Sequence, residues 1–242
     1  MTKNVAHRGY SELYPENTML SFRMAWDAHC DAIELDVQLS RDNELVVIHD
    51  EKLERTTDGK GNVRDLTLFE LKKLDASAAF RGTFGRNEIP TLREYFELVR
   101  ELPLYSHIEM KNSVMDYREI EEKLIALIRE YSLEEKTVIS SFNHPSILKC
   151  KRLAPEIKCG FISGSLIIRA GEYSKKNGVE FFHPRYAYLT PGNLKELKKN
   201  GIHVLAWTVN REKDMRLLIE EGVYGIITNN PEKLHLILEE YR

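Results

Sequence analysis

Short β-rich apolar runs alternate with amphipathic helical stretches along most of the chain, and that alternation leaves few folds open. Candidate strands lie at Asn4–His7, Ala32–Val37, Leu104–Glu109, Val138–Ser141, Lys158–Ile162, Val179–His183, His203–Thr208 and Gly225–Thr228, with helical patterns after each. Thr18–Ala28 sets Leu20, Met24 and Ala28 on one stripe, and Tyr117–Tyr131 carries Ile120, Leu124, Leu127, Ile128 and Tyr131 at helical spacing. Asn193–Asn200, Arg211–Glu221 and Pro231–Glu240 read the same way. Gly178, Gly201 and Gly222 stand just beyond three of these helices, where a left-handed cap is expected. Eight strand–helix repeats in 242 residues predict a closed (β/α)8 TIM barrel, a fold that typically takes about 250. An open doubly wound sheet uses the same repeat, but no Gly-x-Gly-x-x-Gly follows the first strand to support its dinucleotide-binding version.

The alternation breaks between Leu45 and Pro90. Leu45–His49 reads as a further strand, reached by a tight turn at Arg41–Glu44. A turn-rich segment, Thr57–Asn62, and a helix near Leu68–Leu74 follow. With little apolar content of its own, this stretch reads as an excursion rather than a second domain. Residues 1–242 are therefore expected to form one barrel domain, with a small inserted subdomain at about 45–90 after the second strand.

Charge and cysteine usage remove several function classes. Lys and Arg total 35 against 38 for Asp and Glu, a net charge of −3, whereas a general nucleic-acid binder carries a basic excess. No apolar run is long enough for a transmembrane helix, so stable membrane insertion is not expected. The amino terminus shows no signal-peptide succession before His7. Cys30, Cys150 and Cys159 are odd in number and lack Cys-x-x-Cys spacing, which fits reduced thiols in the cytoplasm. Nothing in the sequence fixes an oligomeric state.

The chemistry begins with alternation inside strands. Residues at i and i+2 share a face, so Glu34 and Asp36 in Ile33–Val37 point one way and the aliphatics the other. In a barrel the aliphatic face packs on the outer helices and the carboxylates point inward. His107, Glu109 and Lys111 repeat the pattern. Three carboxylates at one mouth repel, at about 3 kcal/mol per pair for ~5 Å and an effective dielectric of about 20. A cation relieves this, although raised pKa values also can. An all-oxygen set favours Mg²⁺ or Ca²⁺ over zinc. His7 and His49 each end a strand and form a possible acid–base pair. Arg8 can clamp an anion, Lys111 adds a point charge, and Gly9 would let the backbone approach a ligand closely. This inventory suits hydrolysis of a phosphate ester.

Several motifs occur in one order: His7-Arg8-Gly9, Pro15-Glu16-Asn17-Thr18, Ile33–Val37, Val46-Val47-Ile48-His49-Asp50 and Arg55-Thr56-Thr57. Ile89–Leu92, Ile108-Glu109-Met110-Lys111, Ser141-Phe142 and Trp207-Thr208-Val209-Asn210 continue it. In these the chain resembles the glycerophosphodiester phosphodiesterases over nearly its whole length, and their short cytosolic members most. The resemblance implies a (β/α)8 barrel with a subdomain inserted after the second strand, and cleavage of glycerophosphodiesters to sn-glycerol 3-phosphate and an alcohol. It implies one divalent cation on Glu34, Asp36 and Glu109, and proton exchange by His7 and His49. Arg8 and Lys111 would hold the phosphate, with Phe142 and Trp207 walling the glycerol side. Which histidine is base and which acid stays open, as does attack by water directly or through a cyclic phosphate. The chain departs from the family at Tyr224 and Asn229, where acidic residues are usual, and at Ser77, where glycine is usual. Tyr224 and Asn229 are expected to lie away from the metal and proton-transfer residues.

Two other readings compete. A lysophospholipase D-like activity needs an apolar rim, which Ala79-Phe80 and Phe84, or Leu166-Ile167-Ile168, would provide. A catalytically silent barrel binding a phosphorylated ligand has only Tyr224 and Asn229 in its favour. His29, His144, His203 and His235 read as surface or packing residues, and His183 as a pocket candidate at its strand end.

Overall fold

The strand–helix alternation closes on itself. The computed structural model describes residues 1–80 and 82–242. Its strands are β1 (Lys3–His7), β2 (Ala32–Leu39), β3 (Leu45–Val47), β4 (Tyr105–Met110), β5 (Thr137–Ser141), β6 (Lys158–Ser163), β7 (Phe181–Pro184), β8 (His203–Ala206) and β9 (Gly225–Thr228). The α-helices are α1 (Met19–Asp27), α2 (Leu68–Leu71), α3 (Leu92–Val99), α4 (Ile120–Glu130), α5 (His144–Leu153), α6 (Ala170–Lys176), α7 (Pro191–Lys199), α8 (Glu212–Glu220) and α9 (Pro231–Glu239). All strands but β3 run parallel, each beside its successor in the repeat, and β9 pairs back onto β1. That is the (β/α)8 TIM barrel.

Local sequence explains the punctuation. Thr18, Thr91 and Thr190 each accept from the backbone N–H three residues on, closing capping boxes with Ser21, Glu94 and Asn193. Gly178, Gly201 and Gly222 take φ of 67°, 77° and 64°, the left-handed exits that their positions after helices predict. The helix predicted at Leu68–Leu74 is shorter, ending at Leu71.

Alternation then sorts the layers. On β2, Ile33, Leu35, Val37 and Leu39 join the core between barrel and helices, while Glu34, Asp36 and Gln38 are buried on the other face. Inside the barrel Val5, Ala32, Val138, Phe181, Leu205 and Ile227 form an apolar plug. The strand C-terminal ends above it carry the polar side chains.

Residues 45–91 are better supported than their composition suggests. Val46, Ile48, Leu53, Val63, Leu71, Ala76 and Ile89 form a buried cluster separate from the main core. These residues are too widely spaced to show any periodicity. β3 lies between the two cores, with Leu45 and Val47 facing one and Val46 and Ile48 the other. Among the described residues no helix is long and apolar enough to cross a membrane.

Candidate active site

Glu34, Asp36 and Glu109 converge at the C-terminal end of the barrel, one ligand atom from each lying within 4.8 Å of the others. Register brings them together. Asp36 lies beside Glu109 across β2 and β4, and Glu34 lies beside His7 across β1 and β2. β4 occupies one edge of β2, so β1 and β3 share the other, one above the other. The Ile48 N–H donates to the Asp36 carbonyl at 3.1 Å, which carries His49 to the level of the carboxylates. His7 and His49 thus bracket the Glu34–Asp36 pair along a single edge.

Burial and charge divide the three carboxylates. Burial opposes the charge of Asp36, but Arg8, His49 and Lys111 overcome it and hold Asp36 at about 2. Burial, then Asp36 and Glu109, push Glu34 well above the usual carboxylate range, and burial with Asp36 pushes Glu109 up. Glu34 and Glu109 therefore hold protons more readily than free carboxylates do, and a cation among the three would reverse that. Asp36 Oδ1 is buried without a hydrogen-bond partner, and the Lys111 ammonium stands 3.9 Å away. An orphaned carboxylate oxygen in an all-oxygen set is what a hard divalent cation would satisfy, so these residues fit one.

The flanking cations hang on an ionic ladder. The Arg8 guanidinium donates to Glu16 at 2.8 Å, and its Nε lies 3.3 Å from Asp36 without hydrogen-bond alignment. Arg55 donates to both oxygens of Glu16, at 2.7 and 2.8 Å, and to Asp50 at 2.5 and 3.0 Å. Asp50 lies 2.5 Å from His49 Nδ1, Lys111 Nζ 3.1 Å from His49 Nε2, and Lys111 donates to Glu109 at 2.7 Å. Charges alternate around the mouth, linking the anion-clamping arginine to the second histidine. Sequence reading assigned no role to Glu16, Asp50 or Arg55, because Glu16 and Arg55 meet across 39 residues of chain. Gln38 was also missed, although it continues the inward line of Glu34 and Asp36. Its amide nitrogen reaches the carbonyls of Ile48, His49 and Asp50 at 2.8–3.1 Å, anchoring the His49 segment.

Two expectations need correcting. Gly9 does not open the backbone to a ligand: a Cβ there would lie 2.4 Å from Ser21 Oγ, so glycine is needed for the close approach of α1. Its φ of 80° is a second reason. Asn229 is not remote either, since its Oδ1 lies 2.6 Å from His7 Nδ1. A carbonyl oxygen only accepts, so Nδ1 carries the proton and Nε2, 3.9 Å from Glu34, keeps its lone pair. Tyr224 does lie apart, packed on Phe181 and His203 at the plug.

Burial, with the charge of Arg8, pulls His7 down to about 4. His7 is then neutral across the physiological range and ready to accept a proton. Replacing Asn229 with Asp puts an anion against the ring, which favours the imidazolium and raises this pKa by about 1–3 units. His7 would then protonate at a higher pH, so the acid limb of the kcat/KM–pH profile moves upward. Parallel profiles of wild type and Asn229→Asp check this, and an unmoved limb excludes His7 as the group that sets it.

A cavity of about 350 Å³ joins these parts. His7, Arg8, Glu34, His49, Glu109 and Lys111 line one side, and Val114, Phe142, His183 and Trp207 the other. Phe142 and Trp207 meet edge to face at 5.8 Å, and Trp207 Nε1 donates to the His183 carbonyl at 2.8 Å. His107 faces inward as expected, but it sits deeper, against Phe181 and His183, and does not line this cavity. Another cavity, of about 400 Å³, opens around Met1, Lys3, Asp31 and His235 and gathers no such set.

Comparison with known proteins agrees with this geometry. Residues 7–233 match the glycerophosphoryl diester phosphodiesterase family. The chain is 45% identical over 230 residues to a glycerophosphodiester phosphodiesterase of Caldanaerobacter subterraneus, covering 95% of each chain. It is 40% identical over 245 residues to one of Bacillus altitudinis, covering all of both. Among solved structures, an Oleispira antarctica phosphodiesterase in complex with the product sn-glycerol-3-phosphate superposes with a TM-score of 0.87 at 30% identity, covering 97% of this chain and 96% of that one.

Proposed function

Since the chain belongs to the glycerophosphoryl diester phosphodiesterase family and is an enzyme of that kind, we propose that it performs metal-dependent hydrolysis of glycerophosphodiesters to sn-glycerol 3-phosphate and an alcohol, with His7 and His49 exchanging protons. The observation that carries this reading is the convergence of three buried carboxylates, two cations and two imidazoles on one cavity. The product complex of the Oleispira relative supports it.

Glu34, Asp36 and Glu109 would hold one divalent cation, Mg²⁺ or Ca²⁺, which when bound polarises a phosphoryl oxygen and favours ionisation of the attacking hydroxyl. Arg8 and Lys111 then hold the phosphate and offset charge as it builds. Their own positions are preset, Arg8 by Glu16 and Lys111 by Glu109. The geometry favours His7 as base, through its free Nε2. His49 suits the acid, because Asp50 at Nδ1 would stabilise a proton gained at Nε2, the atom that accepts from Lys111 in this structure, until it passes to the departing alkoxide. Phe142 and Trp207 flank the glycerol.

On this reading residues 1–242 act as one barrel domain, and the insertion at about 45–90 serves to deliver His49 and Arg55. The three cysteines are buried and free, consistent with a cytoplasmic enzyme acting on a small-molecule diester. The test is release of sn-glycerol 3-phosphate from glycerophosphoethanolamine with Mg²⁺ or Ca²⁺ and with a chelator. Release that the chelator stops is expected, and no release with either metal would sink the reading.

A further inference from the structure

Glu121 puts a carboxylate on the buried face of α4, whose other buried residues are Ile120, Leu124, Ile125, Leu127 and Ile128. A charge buried there is costly unless it is paired and hydrogen-bonded, and the partners of this one lead to the active site. On α5, Lys149 donates to Glu121 Oε2 at 3.0 Å and Ser146 Oγ donates to Oε1 at 2.5 Å. Ser146 Oγ in turn accepts from Asn112 Nδ2 at 2.8 Å, and Asn112 Oδ1 accepts from Ser141 Oγ at 2.9 Å. The Asn112 carbonyl accepts from Asn143 Nδ2 at 3.0 Å, and the Ser141 hydroxyl also faces the Met110 carbonyl at 2.9 Å. Met110 and Asn112 flank Lys111, and Ser141 and Asn143 flank Phe142. The backbone ladder between β4 and β5 stops at Glu109 and Ser140, so side chains make the rungs beyond it.

We propose that Glu121 is a positioning residue: through this network it sets where Lys111 and Phe142 stand, and so how tightly the glycerol phosphate part of the substrate is held. This rests on the functional reading above, in which Lys111 holds the phosphate and Phe142 flanks the glycerol. The direction of each hydrogen bond follows from the charge. A carboxylate only accepts, so the Ser146 hydroxyl donates to Glu121 and keeps a lone pair for Asn112. The Asn112 amide is then held with its nitrogen toward α5 and its oxygen toward Ser141, whose hydroxyl donates. Without the anion both ends of that amide could exchange places, and the rungs between the two strand ends would lose their pairing. Lys111 Nζ and the Phe142 ring centre stand 5.9 Å apart, and both residues line the cavity. One buried charge behind the strand ends thus fixes the two together.

The experiment measures the dissociation constant of sn-glycerol 3-phosphate at fixed Mg²⁺, beside turnover of glycerophosphoethanolamine, in Glu121→Gln, Glu121→Asp and Ser146→Ala. Glu121→Gln keeps the shape but can present an N–H where the network needs an acceptor. Binding should weaken about tenfold, as for the loss of one hydrogen bond to a charged group. Glu121→Asp keeps the charge and should recover part of the loss. Ser146→Ala should weaken binding similarly, and combining it with Glu121→Gln should cost no more than either alone. Should Glu121→Gln not fold, Ser146→Ala serves for the same comparison. The decisive arm repeats the change in a Lys111→Ala/Phe142→Ala background, where the residues being positioned are gone and no further weakening is expected. A penalty that persists there in full overturns the proposal, as does a lowered melting temperature with unchanged binding, since either makes Glu121 a packing residue only. If the wild type neither cleaves the diester nor binds sn-glycerol 3-phosphate, the functional reading itself fails and this inference with it.

Discussion

Glu34→Gln is expected to lower kcat/KM by about a thousandfold or more and yet leave the metal-free protein as stable as wild type, or more stable. The loss follows from removing a cation ligand, since such an ion contributes several kcal/mol of charge stabilisation and each 1.36 kcal/mol is tenfold in rate. The stability sign follows from the carboxylate trio. Burial, Asp36 and Glu109 push Glu34 far up, so its folded value lies above its unfolded one. Such a group favours the fold below the unfolded value, and that contribution is lost as pH rises through the folded value. At neutral pH without metal, Glu34 therefore opposes the fold, and a neutral amide of the same shape does not. Wild type should melt higher when Mg²⁺ or Ca²⁺ is added, and less so at lower pH, because binding must expel protons. Glu34→Gln should lose most of that response. Thermal melts with and without metal, beside the activity assay, separate the two effects. A variant that loses activity but keeps the full melting response would show that Glu34 does not hold the cation.

His49→Ala is expected to lose about a hundredfold to ten-thousandfold in kcat on glycerophosphoethanolamine and far less on a diester with a p-nitrophenyl leaving group. A good leaving group departs without a proton, so only the acid becomes dispensable. His7→Ala should lose activity on both substrates, because the nucleophile still needs its proton removed. The assignment rests on partners. Asn229 leaves His7 Nε2 with its lone pair beside Glu34, and Asp50, braced by Arg55, is the anion that would stabilise a proton gained at His49 Nε2. If His7→Ala were the variant spared on the nitrophenyl diester, the two roles would be exchanged.

Much of this was legible in the chain because barrel strands are short and regular. Two-residue alternation in Ile33–Val37 and His107–Lys111 needs only the knowledge that one face packs on helices to place Glu34, Asp36, Glu109 and Lys111 inward. The strand-end histidines, the glycine caps and the closed barrel follow from equally local patterns. The insertion was harder, because Val46, Leu53, Val63, Leu71 and Ile89 share a small core without sharing a period. The role of Gly9 was misread because the atom that fills its space, Ser21 Oγ, lies on a helix twelve residues away. Asn229 was misplaced because β9 returns to β1 only when the barrel closes, and closure sets the end of the chain against its beginning.

Sequence alone thus determined the architecture, the direction each strand residue faces, and the chemical inventory of carboxylates, cations and imidazoles. These depend on backbone geometry within a few residues. Tertiary structure alone decided which side chain meets each imidazole's Nδ1, and how Arg8 and His49 are held through Glu16, Arg55 and Asp50. Each of those depends on distances and burial between residues far apart in the chain. Hydrogen bonds and charge interactions act over a few ångströms of space, whatever the number of residues between the partners.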